Sequence, residues 1–241
     1  MSDRTLEHFF PGARDAAAVR WSHAVNSSGR LAEAVAGPTH MLEADVILRG
    51  RGPSEPIMAH SADTDSDITL KEWLEGVKES TKGIKLDFKS LEAVSPSVLL
   101  LEEVCGPSRP VWVNADVLSG PGGQATPLEP RAFLSSVTTL PPHSVLSLGW
   151  TTEWTAGAEN PGYSWVMVRE MQQVCEALTH PVSFPVRAAF LAQSFSQLSW
   201  LLQQSDSYTL TVWTGPNDEF RLQDFLPYKE EVDIRRIYYD L

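Results

Sequence analysis

The chain has 241 residues, of which 42% are hydrophobic and 21% are charged, and its formal net charge is -12. This composition is typical of a soluble globular protein and supplies enough apolar material for a sizeable core. No basic run is present, which excludes the electrostatic footprint of nucleic-acid-binding proteins, so we expect no nucleic acid among the partners. The two cysteines, Cys105 and Cys175, provide neither a disulfide framework nor a zinc site.

The N-terminal residues lack the basic and apolar segments of a signal peptide, and no apolar stretch is long enough to span a bilayer. We therefore expect a soluble, cytoplasmic chain without a transmembrane segment, although a secreted protein whose leader is missing would have the same features. We also expect one domain over residues 1–241, in which residues 1–17 form a flexible N-terminal segment.

Strand-like and helix-like segments alternate along the chain. The predicted strands cover residues 19–25, 41–48, 57–60, 83–88, 110–115, 144–149, 182–188 and 208–213. The predicted helices cover residues 31–35, 90–105, 130–137, 164–178 and 193–204, and a further helix starts near Asp67 or Thr69. A turn rich in glycine and proline leaves no room for a helix between the second and third strands. The alternation predicts an α/β fold with a parallel sheet, and eight strands predict a single (β/α)8 barrel of the TIM type.

Charged residues interrupt two of these apolar strands. Because successive strand residues point to opposite faces, Glu43 and Asp45 share one face of the second strand. In the fourth strand, Lys85, Asp87 and Lys89 share one face. A buried carboxylate must be paired or must bind a metal. One interpretation is ion pairing with the two lysines, and the other is that the carboxylates meet on one Mg²⁺ or Ca²⁺ ion, which prefers oxygen ligands.

Polar residues also lie near the ends of three other strands. His23 and His60 lie near the ends of the first and third strands, and Asn114 and Asp116 alternate at the end of the fifth. In a β/α barrel, the C-terminal ends of the strands carry the active site. Histidines without a neighbouring cysteine suit acid/base chemistry better than zinc binding, although a single histidine is more often a packed or surface residue.

Several segments together resemble the menorin family. They are residues 40–46, 56–60 and 82–89, with residues 21–27, 113–118 and 146–152. The motifs cover residues 19–152, and the strand count extends the resemblance to the C-terminus. These motifs are also similar to the wider phospholipase-C-like phosphodiesterase superfamily, which includes glycerophosphodiester phosphodiesterases and spider sphingomyelinases D. Its pattern is a first-strand histidine, a Glu-x-Asp pair, a second histidine and an acidic-x-Lys pair.

The resemblance implies a role for each matching residue. It implies His23 and His60 as the catalytic acid and base, and Lys89 as a contact to a phosphate oxygen. It implies Mg²⁺ or Ca²⁺ as the cofactor, bound by Glu43, Asp45 and Asp87. Around a small-molecule or lipid phosphodiester substrate, it places Asn26, Lys85, Asn114, Asp116 and Trp150. Trp213 is a further candidate for contact with the substrate. An aromatic platform for a lipid or a ring, with ordinary packing as the alternative, would consist of Trp150, Trp165 and Trp213.

The sequence therefore predicts a metal-dependent phosphodiesterase or phosphotransferase that acts on a phospholipid or a glycerophosphodiester by two-histidine catalysis. Glycerophosphodiesterases have His-Arg-Gly where this chain has His23-Ala24-Val25, and His-Asp where it has His60-Ser61. Their inserted domain has no room here. The missing arginine weakens the expectation of a glycerophosphodiester. The nucleophile is either water or a hydroxyl group of the substrate, which would give a cyclic phosphate.

Two other functions remain open at this point. The chain could be a non-catalytic binding or adhesion module on the same barrel, because a fold does not determine a function. A sugar hydrolase is disfavoured, because Glu43 and Asp45 lie two residues apart on one strand, whereas the carboxylates of glycosidases flank the scissile bond.

Overall fold

Apolar runs form the strands of this protein, and segments with polar caps form the helices between most of them. The computed structural model describes residues 4–106, 108–155, 157–215, 218 and 231–241. The strands are β1 Trp21–Ser22, β2 Met41–Leu48, β3 Pro56–Met58, β4 Gly83–Phe88, β5 Val111–Ser119, β6 Val145–Thr151, β7 Val182–Arg187, β8 Tyr208–Trp213 and β9 Ile237–Asp240. The α-helices are α1 Arg4–Phe9, α2 Ser28–Ala36, α3 Leu70–Lys78, α4 Val94–Val104, α5 Pro130–Val137, α6 Trp165–Cys175 and α7 Ala188–Gln203. Short 3₁₀ helices cover Ala16–Ala18, Leu91–Ala93 and Ile234–Arg236.

The strands form a sheet in the order β1-β2-β4-β5-β6-β7-β8-β9, and β3 pairs with β2 outside this order. Eight strands are parallel, and helices separate most of them along the chain. This confirms the predicted fold class, α/β of the (β/α)8 TIM type, with no helix between β2 and β3. None of the helices in the described part of the chain combines the length and the apolar character that a membrane span requires.

Two strands differ from the predicted parallel set. The predicted third strand, now β3, is antiparallel to β2, with Met58 opposite Val46. The turn before it is too short for the crossover that a parallel pair needs, so the chain can only reverse. The remaining parallel strand is β9, which pairs with β8. The prediction missed β9 because a run of four residues carries too little periodicity to stand out.

The first strand is also shorter than predicted, because the chain turns away after Ser22. The strand β1 covers two residues rather than residues 19–25. Ala24 has a φ of 52°, in the left-handed region that residues other than glycine rarely enter, and an extended strand cannot pass through it. The turn ends where the Ser27 hydroxyl caps α2 by accepting a hydrogen bond from the Arg30 N–H.

The chain divides into two compact units. Unit A consists of Arg20–Ala115 and Leu128–Leu146, and unit B consists of Met1–Val19, Asp116–Pro127 and Ser147–Leu241. In unit B, the helix α1 lies within the segment for which we predicted flexibility, and Leu6 of α1 is fully buried. We predicted that residues 1–17 are flexible and that residues 1–241 form one domain, and both statements stay predictions.

Unit A is organised around β2, in which residues 41–47 are all buried. The helix α3 begins near the predicted position, with a capping box in which the Thr69 hydroxyl accepts from the Glu72 N–H and the Glu72 carboxylate accepts from the Thr69 N–H. Trp73 of α3 is fully buried, and its indole N–H donates to the Val25 carbonyl at 2.9 Å. This bond attaches α3 to the segment that follows β1.

Unit B has an aromatic core. Trp150 is buried, and its ring lies 4.9 Å from that of Tyr163 and 6.1 Å from that of Phe184, measured between ring centres. Tyr163 in turn contacts Phe190 of α7 at 5.7 Å, edge to face. The Tyr163 hydroxyl also accepts a hydrogen bond from the Arg187 N–H at 3.2 Å, which attaches the core to the end of β7.

Arg109 ties the C-terminal end of α3 to the start of β4 in unit A. Its guanidinium group donates to four backbone carbonyl oxygens, those of Val77, Lys78, Ser80 and Lys82. We expect Arg109→Met to lower the free energy of unfolding by about 2 kcal/mol, because the lost bonds are charge-assisted and water replaces them only in part. Urea unfolding measures the change. As a control, the exposed Arg131→Met should change stability by less than about 0.5 kcal/mol, and equal effects of the two substitutions would contradict the prediction.

Candidate active site

Two rows of polar side chains cross the parallel strands of unit A. In one row, Asp45 of β2 is in register with Asp87 of β4, and Asp87 is in register with Asn114 of β5. Two residues earlier on β2 and β4, Glu43 is in register with Lys85. Because residues two apart point to the same face of a strand, the carboxylates of the two rows converge. One oxygen from each of Glu43, Asp45 and Asp87 lies within 4.8 Å of the others.

Asp45 is held by both ends of the Asn26 side-chain amide. The Asn26 Nδ2 group donates to Asp45 Oδ2 at 2.8 Å, and Asn26 Oδ1 accepts from the backbone N–H of Asp45 at 2.8 Å. Asp45 is only 6% exposed, so these bonds take the place of hydration. The structure therefore places Asn26, which we predicted beside the substrate, against a carboxylate.

Asp87 divides its two oxygens between an amide and an ammonium group. Asn114 Nδ2 donates to Asp87 Oδ1 at 2.8 Å, and Lys89 Nζ donates to Asp87 Oδ2 at 2.6 Å. Burial by itself would raise the pKa of Asp87. The positive charges of Lys89 and Lys85, together with the two hydrogen bonds, outweigh burial and hold the pKa of Asp87 below its usual value. Asp87 is therefore ionised at neutral pH.

Lys85 of β4 and Lys89, which directly follows β4, are buried to different extents. Lys89 bridges the aspartates, with Nζ 3.1 Å from Asp45 Oδ1 and 2.6 Å from Asp87 Oδ2, and its side chain is 24% exposed. Lys85 is buried, and its Nζ lies 5.7 Å from the centre of the Trp21 ring. A ligand from solvent can thus reach Lys89, whereas Lys85 is an internal positive charge beside the carboxylates.

Glu43 connects the carboxylates to the first predicted histidine. Its Oε2 atom accepts from the Ala24 N–H at 2.8 Å and lies 3.3 Å from His23 Nδ1. The left-handed backbone at Ala24 allows a main-chain amide and an imidazole from adjacent residues to meet the same oxygen. Glu43 is buried, whereas the His23 side chain is 58% exposed, so His23 lies between the carboxylate and solvent. No sequence signal marked Ala24, because its contribution is made by its backbone.

His60 lies two residues beyond β3, which pairs with β2. The Ala59 N–H donates to the Asp45 carbonyl at 3.1 Å, which brings the backbone before His60 next to the site. The His60 carbonyl accepts from the Asp63 N–H at 2.9 Å in a turn, and His60 is exposed. Among the described residues, no hydrogen bond joins the His60 side chain to the three carboxylates.

Three residues that we predicted near the substrate belong to unit B. Asp116 lies on β5, and Trp150 packs in the aromatic core described above. Trp213 ends β8, and its ring centre lies 5.7 Å from the Arg187 guanidinium carbon. Trp165, the remaining candidate for an aromatic platform, is 40% exposed and contacts Trp200 edge to face at 5.9 Å.

Arg187 is a charged strand-end residue that the sequence prediction missed. It is the last residue of β7, and its guanidinium carbon also lies 5.8 Å from the ring centre of Trp154. Its Nε and Nη2 groups donate to the two carboxylate oxygens of Asp218 at 2.8 Å and 2.7 Å. The signal was available, because a charged residue within an apolar strand is the pattern that identified Asp87.

The cluster of Glu43, Asp45 and Asp87 fits a hard divalent cation. All of its donors are carboxylate oxygens, the type of ligand that Mg²⁺ and Ca²⁺ prefer, and an oxygen that accepts one N–H keeps a second lone pair. Three carboxylates beside two lysines leave one net negative charge, which favours a cation. Within the described residues, this is the one group of three or more acidic, histidine or cysteine ligands that lie close enough for an ion.

Residues 15–241 match the family described as the Menorin N-terminal domain. The chain belongs to the menorin family. Human Protein FAM151B is 47% identical to it over 247 residues, which cover 100% of this menorin-family chain and 90% of that protein.

Two solved structures are also similar to this menorin-family chain. A dihydropteroate synthetase crystallised with a product is 11% identical and covers 80% of this chain and 72% of its own, with a TM-score of 0.42. S. officinalis PLC21 is 9% identical and covers 86% of this chain and 30% of its own, with a TM-score of 0.40.

The Arg187–Asp218 pair predicts a pH-dependent contribution to stability. Burial alone would raise the pKa of Asp218, but the hydrogen bonds from Arg187 and the Gly215 N–H lower it below its usual value. A carboxyl group with a lowered pKa stabilises the folded state above its unfolded pKa, and this stabilisation is lost as the pH falls through the folded pKa. We expect Asp218→Asn to lower the free energy of unfolding by about 2 kcal/mol at neutral pH.

This difference from the wild type should shrink as the pH falls below about 4, the ordinary pKa of an aspartate, because the unfolded carboxyl group takes up its proton there and the folded one does so only at lower pH. Urea unfolding at a series of pH values measures it, with the exposed Asp63→Asn as the control. A difference that stays constant with pH would contradict the role assigned to the ion pair.

Proposed function

We propose that this menorin-family chain is a metal-dependent phosphodiesterase or phosphotransferase that uses His23 and His60 as its acid and base. One observation carries the proposal: three buried or half-buried carboxylates meet within 4.8 Å, beside a lysine that solvent can reach. Membership of the menorin family and the (β/α)8 fold class are compatible with such an activity, because active sites in this fold are built at the C-terminal ends of the strands.

The charges of the site suit a phosphodiester. A Mg²⁺ or Ca²⁺ ion held by Glu43, Asp45 and Asp87 would supply Lewis-acid stabilisation of charge on a phosphoryl oxygen. With a divalent cation, the net charge of the cluster and its two lysines changes from one negative to one positive, which matches the single negative charge of a phosphodiester. Lys89 would donate to another phosphoryl oxygen, where its positive charge would stabilise the negative charge that develops in the transition state.

The contact between Glu43 and His23 assigns one proton of the imidazole. Because His23 Nδ1 lies 3.3 Å from a carboxylate oxygen of Glu43, we assign the hydrogen of the neutral imidazole to Nδ1, facing that oxygen. The Nε2 atom is then the proton acceptor, so we assign His23 as the base that takes a proton from the nucleophile. His60 is assigned as the acid that protonates the leaving oxygen, and each such role contributes about 10²–10⁴-fold to the rate.

A phospholipid or another small phosphodiester is the proposed substrate, with water or a hydroxyl group of the substrate as the nucleophile. A non-catalytic binding module is the second candidate. One observation favours it: Lys89 lies between Asp45 and Asp87 and balances part of their charge without a metal. Such a module would bind an anion at Lys89 and would turn nothing over.

Metal-dependent thermal stability tests the first half of the proposal. After chelator treatment, we expect Mg²⁺, Ca²⁺ or Mn²⁺ to stabilise the wild type by about 2.7 kcal/mol at a hundredfold excess over Kd. Asp45→Asn should lose this stabilisation, because the carboxylate is replaced by an uncharged amide that has only one acceptor oxygen. The exposed Asp63→Asn serves as the matched control and should keep it. If metal stabilised Asp45→Asn as much as Asp63→Asn, the metal would bind at another site.

Turnover of phosphodiesters tests the second half. We expect His23→Ala and His60→Asn each to lower kcat by about 10²–10⁴-fold on bis-p-nitrophenyl phosphate or on a phospholipid substrate, while metal-dependent stabilisation persists. The control is His143→Asn, in the loop before β6, which should keep wild-type turnover. Full activity in both catalytic-histidine variants would remove the acid/base assignment. Metal binding by a wild type that cleaves no phosphodiester would favour the binding module.

A further inference from the structure

We propose that Asn26 and Asn114 are positioning residues that hold the metal carboxylates Asp45 and Asp87, rather than contacts to the substrate. The inference rests on the proposed role of these carboxylates as metal ligands. In this role the two asparagines act on the metal ligands and do not contact the reacting atoms.

The two aspartates are held in the same way. In Asp45, Oδ2 accepts from the Asn26 amide and Oδ1 contacts Lys89. In Asp87, Oδ1 accepts from the Asn114 amide and Oδ2 contacts Lys89. Each carboxylate thus has a neutral amide donor on one oxygen and the shared ammonium group on the other, so its rotation is fixed from both sides.

Asn26 holds more than a side chain. Its Oδ1 and Nδ2 atoms bond to the backbone N–H and the carboxylate of the same residue, at 2.8 Å each. This pair of bonds fixes both the path of β2 at Asp45 and the direction of its carboxylate. It also determines which end of the amide faces which group, because only the nitrogen end can donate to the carboxylate. An amide engaged at both ends by Asp45 has little capacity left for a substrate.

Neutral N–H donors suit this task. They direct the carboxylate without adding a charge that would compete with a cation, and they leave each oxygen a lone pair. Hydrogen-bond partners of metal ligands typically change metal affinity about 10–100-fold when they are removed. The buried position of Asn114, which is 4% exposed, means that water cannot easily replace its bond to Asp87.

Calorimetric titration of the chelator-treated full chain with Mn²⁺, Mg²⁺ and Ca²⁺ tests the inference. We expect Asn26→Ala and Asn114→Ala each to raise the metal Kd about 10–100-fold. The matched control is Asn160→Ala in unit B, because Asn160 also uses both ends of its amide, donating to the Ala189 carbonyl and accepting from the Gly162 N–H. This control should lose stability in urea but keep the wild-type Kd.

The outcomes separate the inference from the proposed function. A wild type that binds metal together with asparagine variants of unchanged Kd would overturn the positioning role and leave the metal site standing. A wild type that binds none of the three cations would overturn both. A raised Kd in Asn160→Ala equal to that of the other variants would show that general loss of stability, and not positioning, sets the affinity. If Asn26→Ala fails to fold, Asn114→Ala, which removes the amide donor to Asp87 and leaves the backbone of β2 untouched, decides the question.

Discussion

The register between β2 and β4 is the constraint on which the site depends. It aligns Asp45 with Asp87, so two carboxylates lie side by side in a largely buried environment. Like charges opposite each other on neighbouring strands destabilise a sheet, and burial increases the cost. A slip of one residue would relieve this repulsion, but it would also turn the carboxylates of β2 to the opposite face, where Leu42, Ala44 and Val46 are buried without exposure to solvent. The apolar residues of β2 therefore maintain the alignment that its acidic residues oppose.

Two lysines and two asparagines beside these carboxylates offset that repulsion. Lys89 lies between the aspartates and remains half-buried, whereas Lys85 is buried one row earlier on β4. Amide donors from Asn26 and Asn114 occupy the outer oxygens. Because the lysines and the amides hold the carboxylates in position, the cation binding that we propose would need little rearrangement of these side chains.

The sequence predicted those parts of the fold and site that local periodicity encodes. Charges at alternate positions of apolar runs identified Glu43, Asp45 and Asp87, because a strand alternates its faces regardless of context. The direction of β3 could not be derived in this way, since it depends on how the preceding turn reverses the chain. The partner of Asn26 and the left-handed backbone of Ala24 depend on contacts between residues distant along the chain. The core packing of Trp150 could have been predicted from the sequence, because alternation in β6 puts Trp150 on the same face as two leucines.

Stability alone does not account for the cluster. Buried ion pairs are commonly neutral or unfavourable relative to apolar side chains of similar volume, by about 1–4 kcal/mol, because desolvation offsets the attraction between the charges. A barrel that served only as a scaffold would therefore gain, or lose nothing, by filling the positions of Glu43, Lys85 and Asp87 with apolar residues. The menorin-family chain instead brings three carboxylates together beside two lysines, and asparagine amides donate to two of these carboxylates. This cost of desolvation is the physical reason for proposing a site that binds a cation and an anion together.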